Sequence, residues 1–259
     1  MGRTRTLLLG ALALSMAAGL TIISTSTLAL VGGASPAPVM SAGFAVQLVG
    51  PGKHCSGVLV APAVVLTAAQ CARPGSDYKI FGYVAGQYTF RNVKRVVQHP
   101  RFDPDSFLRK RATADLALLA LDAPTPGAYA PASIAEANKV VRAGDQFLVA
   151  GYGVAEENAL SLGPLLTALL AVTGSPNNTQ IRLVDPATGG HRAGLGACNG
   201  DSGAPVFEVS GIRNAMVVGI VVWSTGPGDS VGCGGLTGAV PVAPHQDWIK
   251  KTAASIGNS

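Results

Sequence analysis

The stretch Cys198-Asn199-Gly200-Asp201-Ser202-Gly203-Ala204-Pro205 decides how this chain is read. Its glycines free the backbone to turn, so that the amides of Gly200 and Ser202 can point together at one oxygen and stabilise negative charge there. Taken alone, the stretch is equally a Gly-rich turn carrying an ordinary serine. Its weight comes from two fragments upstream, Leu66-Thr67-Ala68-Ala69-Gln70-Cys71 and Asp115-Leu116-Ala117-Leu118-Leu119. The surrounding composition narrows the field further. Of 259 residues, 48% are apolar and 13% charged, and the mean hydropathy is +0.36, which excludes a disordered polypeptide. The length holds one large all-β or α/β unit or two small domains. The 33 Gly and 17 Pro, scattered without period, favour short strands and turns over long helices.

One apolar run approaches membrane-spanning length, and it is N-terminal, which excludes a multi-span membrane protein. Arg3 and Arg5 precede the apolar stretch Leu7 to Ile23, and Thr27-Leu28-Ala29 places small residues where a signal peptidase cuts. Residues 1–29 therefore read as an export signal, and the mature chain as Leu30 to Ser259, secreted and with no membrane attachment. The mature chain keeps 17 basic and 14 acidic residues, too even a balance to imply nucleic acid. Outside the reducing cytosol the four cysteines read as two disulfides, with three pairings open. No Cys-x-x-Cys pair occurs and the His are scattered, so no metal site is expected.

Short runs rich in Val, Ile and Leu, bounded by Gly, Pro, Asn or Asp, predict strands at 44–49, 57–60, 64–68, 77–83 and 116–121. A second set is predicted at 146–151, 165–172, 180–184, 204–209 and 215–223, with 165–172 compatible with a short helix on composition. The Pro- and Ala-rich segment Ala123 to Ala137 divides the sets as a connection between domains. Asp247 to Ser255 predicts a C-terminal helix. The expected class is all-β, with two antiparallel six-stranded β-barrels at about 30–130 and 140–242 and a helical end at about 243–255.

In order and spacing the three fragments resemble the trypsin/chymotrypsin-like serine protease family over nearly the whole mature chain. That family carries Thr-Ala-Ala-His-Cys, Asp-Ile-Ala-Leu-Leu and Gly-Asp-Ser-Gly-Gly/Ala-Pro blocks in this order. Cys55-Ser56-Gly57, Ala150-Gly151-Tyr152-Gly153 and His99-Pro100 match further family segments. The resemblance implies Ser202 as nucleophile, Asp115 at the position of the triad acid, and Gly200 with Ser202 as the oxyanion hole. It implies disulfides Cys55–Cys71 and Cys198–Cys233, and no cofactor. Leu30-Val31-Gly32-Gly33 resembles the family's mature start, whose α-amino group pairs with the Asp before the nucleophile, here Asp201. The expected signal cut falls immediately before Leu30, so export itself would create that terminus.

Gln70 stands where the family has its general-base His. A neutral imidazole takes the serine proton and returns it because its pKa lies near working pH; an amide oxygen is far too weak a base. Gln70 is expected to imitate the hydrogen bonds instead, donating its NH2 to Asp115 and accepting from the Ser202 hydroxyl. Among such enzymes, losing the Ser or His costs about 10⁶ in turnover, with about 10³ over water left to oxyanion binding and positioning. Of the four His, only His54, beside Cys55, is a candidate substitute; His99, His191 and His245 read as structural or surface residues. Val222 falls where the family has a Ser supporting the triad Asp, so the Asp115 pKa is expected to rise.

The resemblance places Gly196, Ser224 and Gly238 around the specificity pocket. With Gly196 in place of an acid, the pocket suits small to medium apolar side chains. The interval Arg91 to Arg111 holds seven Lys/Arg against Asp103 and Asp105, either a solvated face or a patch for an acidic partner. Asn177-Asn178-Thr179 fits a glycosylation sequon. Two functional classes follow: a secreted, monomeric pseudoprotease that binds peptide or protein, or a working serine endopeptidase with unorthodox base assistance.

Overall fold

The computed structural model of the chain describes residues 2, 30–37, 43–84, 87–106, 108, 109, 111–127, 129–154, 164–209 and 215–257. Apart from Gly2, the export segment lies outside the described residues, as does Lys110 of the basic interval. Strand β1 is Ser35–Pro36. The first barrel follows, built from β2 (Ala45–Gly50), β3 (Lys53–Ala61), β4 (Val64–Thr67), β5 (Tyr78–Val84), β6 (Gln87–Gln98) and β7 (Ala117–Leu121). These close in the order β2-β3-β4-β7-β6-β5. All five residues of β7 are buried, because one face fills the barrel and the other is covered by the C-terminal helix.

A short β8 (Ser133–Ile134) leads to the second barrel: β9 (Gln146–Gly151), β10 (Leu166–Thr173), β11 (Ile181–Val184), β12 (Pro205–Val209), β13 (Ala215–Ser224) and β14 (Thr237–Pro241). Their order is β10-β11-β14-β13-β12-β9, and β9 pairs back onto β10. Helix α1, Gln246–Gly257, follows a 3-10 turn at Ala243–His245. The expected pair of antiparallel six-stranded barrels with a C-terminal helix is what the chain forms. Among the described residues no helix is long and apolar enough to cross a membrane.

The differences from the sequence reading have physical causes. The ambiguous segment 165–172 is strand β10, held by a six-residue antiparallel register from Leu166 opposite Gly151 to Ala171 opposite Gln146. Strand β6 was not anticipated, because its cations mask Val93, Val96 and Val97, which are partly buried against the core. Strand β14 was missed as well. Only five residues long and bearing Gly and Pro, it is buried throughout between β11 and β13. The segment 123–137, expected as a connection between domains, is bonded to both barrels. Ala132 N donates to Leu59 O in the first barrel at 2.8 Å, and Ala135 N to Val217 O in the second at 2.9 Å.

Candidate active site

The loop 198–204 is pinned between the barrels by its own glycines and by one serine of β3. Gly203 has φ +87°, and a Cβ there would stand 2.0 Å from Ser56 O, so only glycine fits. Ser56, fully buried, donates its N–H to Ser202 O at 2.8 Å. Its hydroxyl donates to Gly200 O at 3.0 Å and accepts from Tyr152 N at 3.0 Å. Disulfides Cys55–Cys71 and Cys198–Cys233 flank this junction. Among the described residues neither the Gly200 nor the Ser202 amide is consumed by an internal hydrogen bond. Half-buried Ser202 lines a cavity of about 470 Å³ together with Gln70, His54, Gly200, Trp223 and Ser224.

Asp201 points away from this cavity into the second barrel. Fully buried, it accepts hydrogen bonds from Cys198 N and Gly153 N, both at 2.9 Å. Burial pushes its pKa up to about 7 against those two amides. A Cβ on Gly153 would lie 2.5 Å from the carboxylate, which accounts for glycine there. Leu30 is 1% exposed with φ +57°, and Val31 N donates to Gly196 O at 3.1 Å. The segment 30–37 thus lies along the second barrel, Ser35 and Pro36 pairing with β10, with Leu30 and Ala34 buried against it. Among the described residues no cation pairs with Asp201.

Gln70 sits in the 3-10 turn Ala69–Cys71, and its backbone N donates to Asp115 Oδ1 at 2.8 Å. Asp115 is 7% exposed. Burial raises its pKa to about 6, opposed by hydrogen bonds from Gln70 and Ala69 and by the charge of Lys53. The Gln70 side chain keeps its expected hydrogen bond to Asp115 but not the one expected with Ser202. Its Nε2 donates to the Val222 carbonyl at 2.5 Å, and among the described residues Ser202 Oγ makes no hydrogen bond. The cause lies in β13, whose register against β14 shifts between Val221 and Trp223. The bulge leaves the Val222 carbonyl outside the ladder and open to the amide.

The His residues divide. His54 is exposed on β3 at the rim of the cavity, and His191 is exposed in the loop before Ser202. His99 and His245 are both buried, with His99 Nε2 3.2 Å from His245 Nδ1. Among the described residues none of the four bonds to Ser202. Of the residues expected around the specificity pocket, Ser224 lines the cavity. Gly196 packs on Gly234, and Gly238 lies beneath the Trp223 ring, where a Cβ would come within 1.9 Å of Cε2. Sequence reasoning missed Thr237, fully buried, whose Oγ1 accepts from Ala197 N at 2.9 Å. Its position in the unanticipated β14 kept it hidden.

The family model described as Trypsin matches residues 31–249. The chain belongs to the trypsin family. Human kallikrein-4 is 31% identical to this trypsin-family chain over 215 residues, covering 76% of it and 77% of the relative. A trypsin from Simulium vittatum is 30% identical over 187 residues, covering 67% and 71% respectively. The solved structure of human heparin binding protein matches with a TM-score of 0.66 and 23% identity, over 85% of this chain and 96% of that one. That likeness speaks to the fold. Family membership makes peptides and proteins the substrate class, and the two disulfides agree with the extracellular setting of such proteins.

Proposed function

We propose that the chain, after removal of residues 1–29, is a secreted, monomeric trypsin-family member that binds peptide or protein segments in the Ser202 cleft with catalysis impaired. The observation that carries this reading is the Gln70 amide bonded to the Val222 carbonyl, with no imidazole bonded to Ser202 among the described residues. Among the described residues the hydroxyl then has no hydrogen-bonded partner able to take its proton near neutrality. Ser224 on the cavity wall, with the glycine at 196 where the family resemblance puts the base of the pocket, favours small to medium apolar side chains in the cleft. Labelling with a fluorophosphonate tests the reading. The unmodified chain should label no faster than Ser202→Ala, while Gln70→His should gain about 10²–10⁴ in rate, the usual worth of a positioned base. Rapid labelling of the unmodified chain at Ser202 would overturn it.

A second reading, an active serine endopeptidase with unorthodox base assistance, draws support from the uncommitted Gly200 and Ser202 amides and from Asp115, which remains beside Gln70. The same experiment decides between the two.

The proposal includes a cut before Leu30, whose new α-amino group would join Asp201. The buried carboxylate, which no cation pairs among the described residues, and the buried Leu30 support this. N-terminal sequencing of secreted chain should begin at Leu30; a different start would remove it. The basic interval supports an acidic partner only in part. Arg109 is paired with Asp103 and Asp105 at 3.3 and 3.1 Å, and Arg95 is exposed on β6.

A further inference from the structure

The outer face of the first barrel carries an apolar and cationic surface continuous with the cleft. On β6, Tyr88 is 84% and Phe90 57% exposed, two residues apart and therefore on one face of the strand. Phe81 stands opposite Phe90 in the register, and their ring centroids are 6.3 Å apart. The next row pairs Lys79 with Asn92, and exposed Lys94 and Arg95 follow at the bulge. Across β5 and β2 the rows continue through Phe81 to Gln47 and through Lys79 to Val49. Val49 faces His54 on β3, and His54 lines the cavity that holds Ser202. One unbroken face thus runs from the cleft to the aromatic pair.

We infer that this face docks an acidic polypeptide segment bearing an aromatic or large apolar side chain. Charge complementarity selects the sign: the cationic side chains of Lys79, Lys94 and Arg95 lie on it, while Asp122 accepts from Asn92 Nδ2 at 2.7 Å. The exposed rings select the rest, since aromatic side chains at a protein surface serve as anchors for apolar partners and a purely anionic chain would leave them unused. Because the barrel is closed, β5 and β6 have neighbours on both sides and offer no edge for strand addition. The partner is gripped by side chains alone. The inference extends the peptide-binding reading of the cleft and does not depend on catalysis.

The test uses the whole mature chain carrying Ser202→Ala, with a short fluorescein-labelled peptide of Glu and Asp containing Phe as the probe and anisotropy as the readout. Phe90→Ser and Lys79→Glu, each with unchanged melting temperature, should weaken binding by about tenfold, and added salt should weaken it further. Ser224→Tyr, which fills the cleft, should leave binding unchanged. Loss of binding in Ser224→Tyr but not in Phe90→Ser would overturn the docking face and leave the cleft reading standing. So would equal affinity for a probe with Phe replaced by Ser, or binding of a heparin oligosaccharide in place of the peptide.

Discussion

At Gln70, one side chain changes what its neighbours can do. An imidazolium at this position would hold Asp115 ionised, but an amide leaves burial as the dominant influence and the carboxyl at about 6. The sign of the consequence follows from linkage. A folded-state pKa above the ordinary 3.8 means that the native chain binds the extra proton. The associated stability is full below that ordinary value and is lost as pH rises through about 6. Asp115→Asn should therefore melt higher than the parent at alkaline pH, by up to about 3 kcal/mol, with the advantage fading toward about pH 4. A calorimetric pH series checks this, and carbon NMR should follow the Asp115 carboxyl to about 6 in the parent and lower in Gln70→His. The positions of Ser202, Asp201 and Asp115 were legible in the sequence because each lies in a short block with its own local pattern. The partner chosen by the Gln70 amide was not, because the free Val222 carbonyl arises from a register shift between two distant strands.

Strands and the helix were legible to the degree that burial dictated their residues. Runs of Val and Ile filling both barrels announce themselves; β6 hid behind the cations of its wet face, and β14 behind a glycine that accommodates the Trp223 ring. The junction of α1 with the first barrel was equally invisible. There His99 and His245 meet at 3.2 Å, with Arg101 Nη2 3.4 Å from His245 Nδ1 and the Trp248 ring edge-on to His99. Burial lowers both pKa values, His245 to about 4, assisted by the neighbouring His99 and Arg101. Depressed histidines favour the fold above their ordinary 6.5, and that contribution is lost as pH falls toward about 4. This is opposite in sign to Asp115. His245→Phe, which keeps a ring against His99 without a titrating nitrogen, should flatten the fall in melting temperature between about pH 6.5 and 4. An unchanged slope would mean that other groups govern acid stability.

Across the whole molecule, the two barrels were foreseeable from two sets of strands, but their union was not. It depends on Ser56, which reaches from one barrel to the nucleophile loop of the other, and on the segment 123–137. Within three residues of that segment, backbone bonds fasten Ala132 to the first barrel and Ala135 to the second. A tether stitched to both halves removes the hinge about which they would swing apart. The cleft must then greet its guest as a preformed mould, without a closing motion. Capture should proceed in a single kinetic phase whose observed rate climbs linearly with ligand concentration and never saturates, as stopped-flow mixing would record.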